Sequence, residues 1–188
     1  GNVNMLSTVH MHRPIQLDES LIACGRIDAV EPVPRGEQVF TDVWFEGLDG
    51  LRAVSVPRRS LRPDPLKSKQ GAGERPPPVI DEPLQLARLS EHRLTPDAVC
   101  QYSSEGNSIH YDMDAANQAG FRAPIIGGGM GVHFLVAHLW PEAGSELSLD
   151  IFFRRPVFWD DEFFVGRSLD GIALVREGKV LTEARING

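Results

Sequence analysis

A chain of 188 residues carrying 19 Lys plus Arg against 26 Asp plus Glu, a formal net charge of −7, can bury one large core or two smaller ones. Its acidic balance, with no basic block beyond pairs such as Arg58-Arg59 and Arg154-Arg155, argues against a nucleic-acid partner, because a negative surface repels phosphate backbones; an anionic ligand would need a local basic patch. No apolar run reaches the length of a membrane span, and the first residues, GNVNMLSTVHMH, lack the cationic start and apolar core of a secretion signal, so a cytoplasmic protein with no membrane partner is expected.

Near its start the chain holds a segment that recurs. HRPIQLDESLIACGRID (His12 to Asp28) aligns without a gap on RRPVFWDDEFFVGRSLD (Arg154 to Asp170). Arg13-Pro14 falls on Arg155-Pro156, Ile15 on Val157, Asp18 on Asp160, Leu21-Ile22 on Phe163-Phe164, Ile27 on Leu169 and Asp28 on Asp170. Each copy is followed by an alternating pair of segments whose turns, GLDG and REGK, carry the residues of a tight hairpin. Two related halves follow from this repeat. Cys24 and Cys100 lie in apolar-patterned segments with neither CxxC nor metal-type spacing, and read as small buried hydrophobes of a reduced, intracellular protein.

Between the copies, Arg62 to Pro83 is rich in Pro, Gly and charge and nearly free of bulky apolar residues. Such a stretch cannot pack a core, and is expected as an exposed or disordered linker. The expected divisions are 1–62, a first half; 63–83, the linker; and 84–188, a second half. Helix signals concentrate in the second half. Thr95-Pro96-Asp97 is a capped start with Pro at the first helical position. DMDAANQAG is Asp-capped and ends on Gly, and GGGMGVHFLVAHLWPEAG is an apolar helix closed by Pro and Gly. The first half reads as strands alone. An uncovered apolar sheet face invites aggregation, so the second half, a partner subunit or residues upstream of Gly1 must cover it.

The chemistry gathers at EGNSIHYDMDAANQAGFRAPIIGGGMG, Glu105 to Gly131. Glu105, Asn107 and His110 straddle the end of one short helix and the start of the next, in a loop where their side chains can converge. Of the three, His110 is the residue type able to exchange a proton near neutral pH. A carboxylate can orient the imidazole or share a water with it, and Asn107 can position without titrating. Gly127, Gly128 and Gly129 open an apolar helix with bare N–H groups at its positive end, suited to a developing negative oxygen. Together these groups can polarise a thioester carbonyl and exchange water at its α and β carbons. Gly127 to Gly129 can also serve by letting the helix approach a sheet.

The run Y-x-x-E-G-N-S-I-H-Y-D-x-x-x-A-x-x-A-G-F-x-x-P-I-I-G-G from Tyr102 resembles the signature of the MaoC-like dehydratases, the R-specific enoyl-CoA hydratase group of the hotdog superfamily. The resemblance covers about 84–188, and the first half is similar to the degenerate N-terminal hotdog of the double-hotdog members. It implies an α+β double hotdog with an incomplete N-terminal half, in which an antiparallel sheet wraps a long central helix. It also implies reversible hydration of an enoyl thioester, with acyl-CoA or acyl-carrier-protein as substrate, no cofactor, no metal and a homodimeric assembly. Carried over, Glu105 stands at the family's Asp, Asn107 at its Asn, Ser108 at its Pro, and His110 at its His. Gly128 matches the glycine whose amide serves the thioester oxygen, with Gly129, Tyr102 and Ile126 as further substrate-binding candidates; Gly127 stands where many members have His. The departures are Glu for Asp, Ser for Pro, and the short first half.

Other readings are a hotdog thioesterase, weakened because GVHFLVAHLW offers no carboxylate before Glu142, and a non-catalytic acyl-CoA-binding or structural subunit. His110 alone could be structural. His133 and His138 lie on the apolar helix without a metal-ligand pattern and read as helix-face residues. Arg13, Arg154 and Arg155 suggest a geometric role first and a CoA phosphate contact second. Trp140 and Trp159 read as core or interface aromatics.

Overall fold

The structure is a computed structural model that describes residues 3–67, 76–103, 106–143 and 147–187. Its elements in chain order are β1 (Val3–Met11), β2 (Ile22–Val33), β3 (Gly36–Glu46), β4 (Arg52–Ser55), β5 (Arg58–Pro63), β6 (Ala87–Arg93), α1 (Pro96–Tyr102), α2 (Met113–Gln118), α3 (Gly128–Ala143), β7 (Ser148–Phe153), β8 (Glu162–Arg167), β9 (Gly171–Arg176) and β10 (Lys179–Asn187). The chain divides into two compact units: Gly1–Pro78 with Trp140–Phe152 and Arg185–Gly188, and Val79–Leu139 with Phe153–Ala184.

In the first unit the strands run in the order β2-β3-β4-β1-β7, and β5 pairs with β1 and β3. The GLDG turn joins β3 to β4 as its residues require: Gly50 adopts φ 78°, its N–H donates to the Gly47 carbonyl at 2.9 Å, and the Asp49 carboxylate accepts from the Leu51 N–H at 3.0 Å. Alternation then decides which side chains are covered. Leu149 and Ile151, two apart on β7, are fully buried, as is Ala53 of β4. Each large aliphatic so buried contributes roughly 1.5–3 kcal/mol. Residues 3–67 contain no α-helix, as the strand-only reading of this half implies.

Cys24 is a correction to the sequence reading. It is only half-buried, because β2 lies at the end of the strand order, paired among the described residues with β3, and is exposed along most of its length. Cys100 is exposed as well. Its neighbour Val99 takes the inward side of α1 and is fully buried, and one residue further round a helix points about 100° away.

In the second unit the strand order is β10-β9-β8-β6. Glu177 (φ 50°) and Gly178 (φ 70°) put both central residues of the β9–β10 turn in the left-handed region, the signature of a type I′ hairpin. The helices obey their caps. The Thr95 hydroxyl accepts from Ala98 N–H at 3.3 Å and the Asp112 carboxylate from Ala115 N–H at 2.8 Å. On α3, Gly131, Leu135 and Leu139 form a buried stripe at helical spacing, while Gly129, His133 and Trp140 lie on the exposed side. A Cβ on Gly131 would stand 3.6 Å from Thr182 Oγ1 and 3.9 Å from Leu174 Cδ1, so the first turns of α3 rest against β9 and β10. Trp140, 53% exposed, is not a core aromatic.

Of the span expected as an exposed linker, residues 68–75 lie outside the described residues, but its end is anchored. Ile80 is buried in a cluster with Leu86, Phe164, Ala173, Val175 and Val180. The Val79 and Ile80 N–H groups donate to the Glu183 carboxylate at 3.1 and 2.9 Å. Glu183, 1% exposed, also receives Arg154 through Nε at 2.7 Å and a terminal nitrogen at 2.6 Å. Arg155 donates to the Val180 carbonyl at 2.7 Å, and Arg13 pairs with Glu19 at 2.5 Å. These arginines therefore do have geometric partners.

The internal repeat extends to hydrogen bonds. In the first copy the Glu19 carboxylate accepts from Gln16 N–H at 3.0 Å and Glu19 N–H donates to the Gln16 carbonyl at 3.2 Å. In the second copy, at the aligned positions, Asp161 accepts from Phe158 N–H at 2.8 Å and its own N–H donates to the Phe158 carbonyl at 3.1 Å. An acid closing a turn on the residue three before it is thus built twice. Glu19, beside Arg13 and the Gln16 N–H, is held down at about 2.

Candidate active site

His110 ends a single 3-10 turn, Ser108–His110, for which Asn107 is the preceding cap residue. The turn presents the imidazole inward, where it is 6% exposed. Its Nδ1 stands 2.6 Å from the carbonyl oxygen of Ile125. A carbonyl can only accept, so Nδ1 carries the proton and Nε2 keeps its lone pair in the neutral ring. Asn107 Nδ2 donates to that Nε2 at 3.3 Å, and Asn107 itself is exposed. The basic nitrogen therefore meets an exposed amide rather than an apolar wall. Tyr111, the next residue, donates from its hydroxyl to the Gly106 carbonyl at 3.3 Å.

The carbonyl that fixes the ring belongs to the segment leading into α3. Ile125 N–H returns to the Ile109 carbonyl at 3.2 Å, so the 109–110 and 125 backbones hold each other. Two residues on, the Gly127 carbonyl accepts from Met130 N–H at 3.0 Å and Gly131 N–H at 3.5 Å. The amides of Gly128 and Gly129 precede those first bonds, where a helix leaves its N–H groups unsatisfied and its dipole positive.

The remaining expected site residues separate. Tyr102, at the end of α1 and 43% exposed, brings its hydroxyl to 3.6 Å from where a Cβ on Gly129 would be; its ring lies 6.3 Å from that of His133, edge to face. Tyr102 and Gly129 therefore meet at the mouth of α3. Ile126 is buried, its N–H bound to the Val157 carbonyl at 2.9 Å and its Cδ1 3.8 Å from the Cβ position of Gly131. It packs under the first turn rather than at its opening. Glu105 lies outside the described residues. Two open clefts of the protein, about 540 Å³ along β6 and β8 and about 200 Å³ around Arg58 and Arg59, do not include His110.

Two histidine groups were not expected from the sequence, in which His138 reads only as a helix-face residue. His10 and His12 alternate on β1, with ring centroids 4.4 Å apart and His12 Nε2 2.8 Å from Ser55 Oγ; the His-x-His spacing was the available signal. On the second unit Ser90 Oγ lies between His92 Nε2 at 2.7 Å and His138 Nε2 at 2.8 Å. One hydroxyl proton serves only one ring, so the other ring must donate. Burial first, and the charge of His138 second, lower the His92 pKa. Among the described residues no group of three or more potential ligands is arranged to hold a metal, and no helix is long and apolar enough to cross a membrane.

Neither a protein-family model nor a curated protein sequence matches the chain. The likeness is three-dimensional. HtdX from Mycobacterium tuberculosis superposes with a TM-score of 0.81 at 19% identity, over 100% of this chain and 76% of that one. A MaoC-like dehydratase from Phytophthora capsici gives 0.74 at 17%, over 100% and 72%. A second Mycobacterium tuberculosis protein, described as a double hotdog, gives 0.61 at 13%, over 98% and 74%. The putative oleoyl thioesterase of Lactobacillus plantarum gives 0.63 at 12%, over 99% and 74%. The chain is therefore a double hotdog protein, as its resemblance implied. At these identities the likeness fixes the fold, and a thioesterase shares it with dehydratases, so the reaction has to be argued from the site.

Proposed function

We propose that this protein is a lyase that reversibly hydrates an enoyl thioester to its 3-hydroxyacyl form. The observation that supports this most is the ring of His110. The Ile125 carbonyl holds its Nδ1–H, its Nε2 acts as acceptor beside Asn107, and the backbone that orients it runs three residues later into the first amides of α3.

In this reading the thioester oxygen lies against the Gly128 N–H, with Gly129 and Tyr102 bordering the acyl group. Negative charge gathering on that oxygen is stabilised by a fixed amide and by the positive end of α3. Water beside Asn107 attacks the β carbon and gives its proton to His110 Nε2. Glu105, at the family's acid position, holds that water together with His110, and the proton the pair takes from the water is the one delivered to the α carbon, so both groups end each turnover as they began. One water is added across one double bond, and dehydration reverses each step. Asn107, exposed and hydrogen-bonded to Nε2, is the group that water joins or displaces when the buried ring is engaged.

The substrate is a thioester of CoA or of a carrier protein, handled in the cytoplasm within fatty acid metabolism. The assembly is a homodimer, a reading supported by the large apolar residues Ile22, Ile27 and Val30 exposed along β2. The test is incubation with crotonyl-CoA and with branched enoyl-CoAs. Loss of the conjugated double bond without thiol release is the expected result. Thiol release with the double bond intact would make the protein a thioesterase, and neither change would make it a binding subunit.

A further inference from the structure

The segment that orients His110 is itself held by a charged cluster. Pro124 to Ile126 is laced to Val157–Trp159: Ile125 bridges Phe158 in antiparallel fashion, Ile126 N–H donates to the Val157 carbonyl at 2.9 Å, and Trp159 N–H to the Pro124 carbonyl at 3.0 Å. Three residues before Ile125, Arg122 spans the same two segments with its side chain. It forks onto Asp160 at 2.8 and 3.0 Å and reaches Asp161 Oδ1 at 2.9 Å, with its guanidinium 4.0 Å above the Phe158 ring. The other oxygen of Asp161, a residue almost wholly buried, takes the Phe158 N–H at 2.8 Å and a terminal nitrogen of Arg176.

The repeat separates what this cluster does for folding from what it adds. Glu19, aligned with Asp161, closes the same turn in the first unit and pairs with Arg13 of its own loop. Turn closure therefore needs only the acid and a local arginine. In the second unit the acid is bound by Arg176 of β9 and also by Arg122, from the segment that carries the Ile125 carbonyl. That difference ties the turn to the imidazole.

We propose that Asp161, acting through Arg122, is a positioning residue for His110: the cluster fixes the Pro124–Ile126 backbone so that the Ile125 carbonyl holds the Nδ1–H tautomer. This deepens the hydratase reading and rests on it for its catalytic consequence, but its geometric content stands on the ring alone. Releasing the segment lets the ring sample the Nε2–H tautomer, which leaves no lone pair toward Asn107. Displacements of about an ångström at a reacting group lower rates on the order of a hundredfold.

The experiment uses the full chain with ¹⁵N-labelled histidine, and reads the two ring nitrogens of His110, assigned by their loss in His110→Ala. Wild type shows a protonated Nδ1 and an unprotonated Nε2. Arg122→Gln and Asp161→Asn move both signals toward the opposite tautomer, Arg122→Lys restores them in part because it returns the charge without the fork, and Glu19→Gln leaves them unmoved. With crotonyl-CoA, Arg122→Gln lowers kcat roughly tenfold to a hundredfold with KM changed less than about twofold. Should Asp161→Asn fail to fold, the Arg122 pair decides. Wild-type ring signals in folded Arg122→Gln overturn the proposal. An inactive wild type would remove the hydratase reading while the nitrogen signals still decide this one.

Discussion

Replacing Glu183 by Ala should cost more than any other single change at the anchored end of the linker. The carboxylate accepts the Val79 and Ile80 amides and two nitrogens of Arg154, in a site where its side chain is 1% and that of Arg154 13% exposed. Truncation leaves a guanidinium with little access to water and two N–H groups without their acceptor. Breaking one side of a buried pair typically destabilises by about 3–5 kcal/mol, and at this chain length each kcal/mol lowers Tm by roughly 2–4 °C. The double variant Glu183→Leu/Arg154→Met removes both charges and fills the volume, so it should lose markedly less than Glu183→Ala. Urea unfolding followed by far-UV circular dichroism measures both. A loss below about 1 kcal/mol for Glu183→Ala, or a double variant as damaged as the single, would refute the argument that removing the Glu183 charge from beside Arg154 and the two amides sets the cost.

Other expectations follow from single residues. His92 should titrate below the usual histidine value of about 6.5, because burial and then His138 disfavour its charged form. A depressed histidine contributes stability that is present above its unfolded pKa and lost as pH falls through its folded one, so unfolding free energy should drop from pH 7 to pH 5, and less steeply in His92→Gln. Ser103 is buried with its Oγ unpartnered; Ser103→Ala removes that unmet group and should be neutral or stabilising by about 1 kcal/mol in chemical denaturation. Glu105→Asp shortens the acid to the family's length and should raise turnover of small enoyl-CoAs, whereas a simple loss would mean the site is built around Glu.

Much of the fold was legible where local chemistry dictates geometry. The GLDG and REGK turns, the Thr95 and Asp112 caps and the glycines opening α3 all sit where their residue types require, and the repeat announced two related halves. Burial was less legible, since it depends on neighbours the local pattern does not name. Cys24 belongs to an apolar segment, yet its strand is an edge. Glu183 reads as a polar residue in a strand, and Arg154 and the Val79–Ile80 amides explain its burial. The candidate site was half readable. Asn107 and His110 meet, as expected of side chains converging in one loop, but the partner that fixes the ring is a backbone carbonyl, which leaves no mark in residue type. The Asp161 turn was visible as an aligned acid in both copies, whereas Arg122, which links it to the site, lies outside the repeat.

The role of His110 is tested by the initial rate at which folded wild type and folded His110→Ala remove the conjugated double bond of crotonyl-CoA, compared at equal enzyme concentration. A positioned general base is worth about a hundredfold to ten-thousandfold, so His110→Ala should lose activity by that factor with the circular dichroism spectrum unchanged. Turnover in His110→Ala within a few-fold of wild type would contradict it.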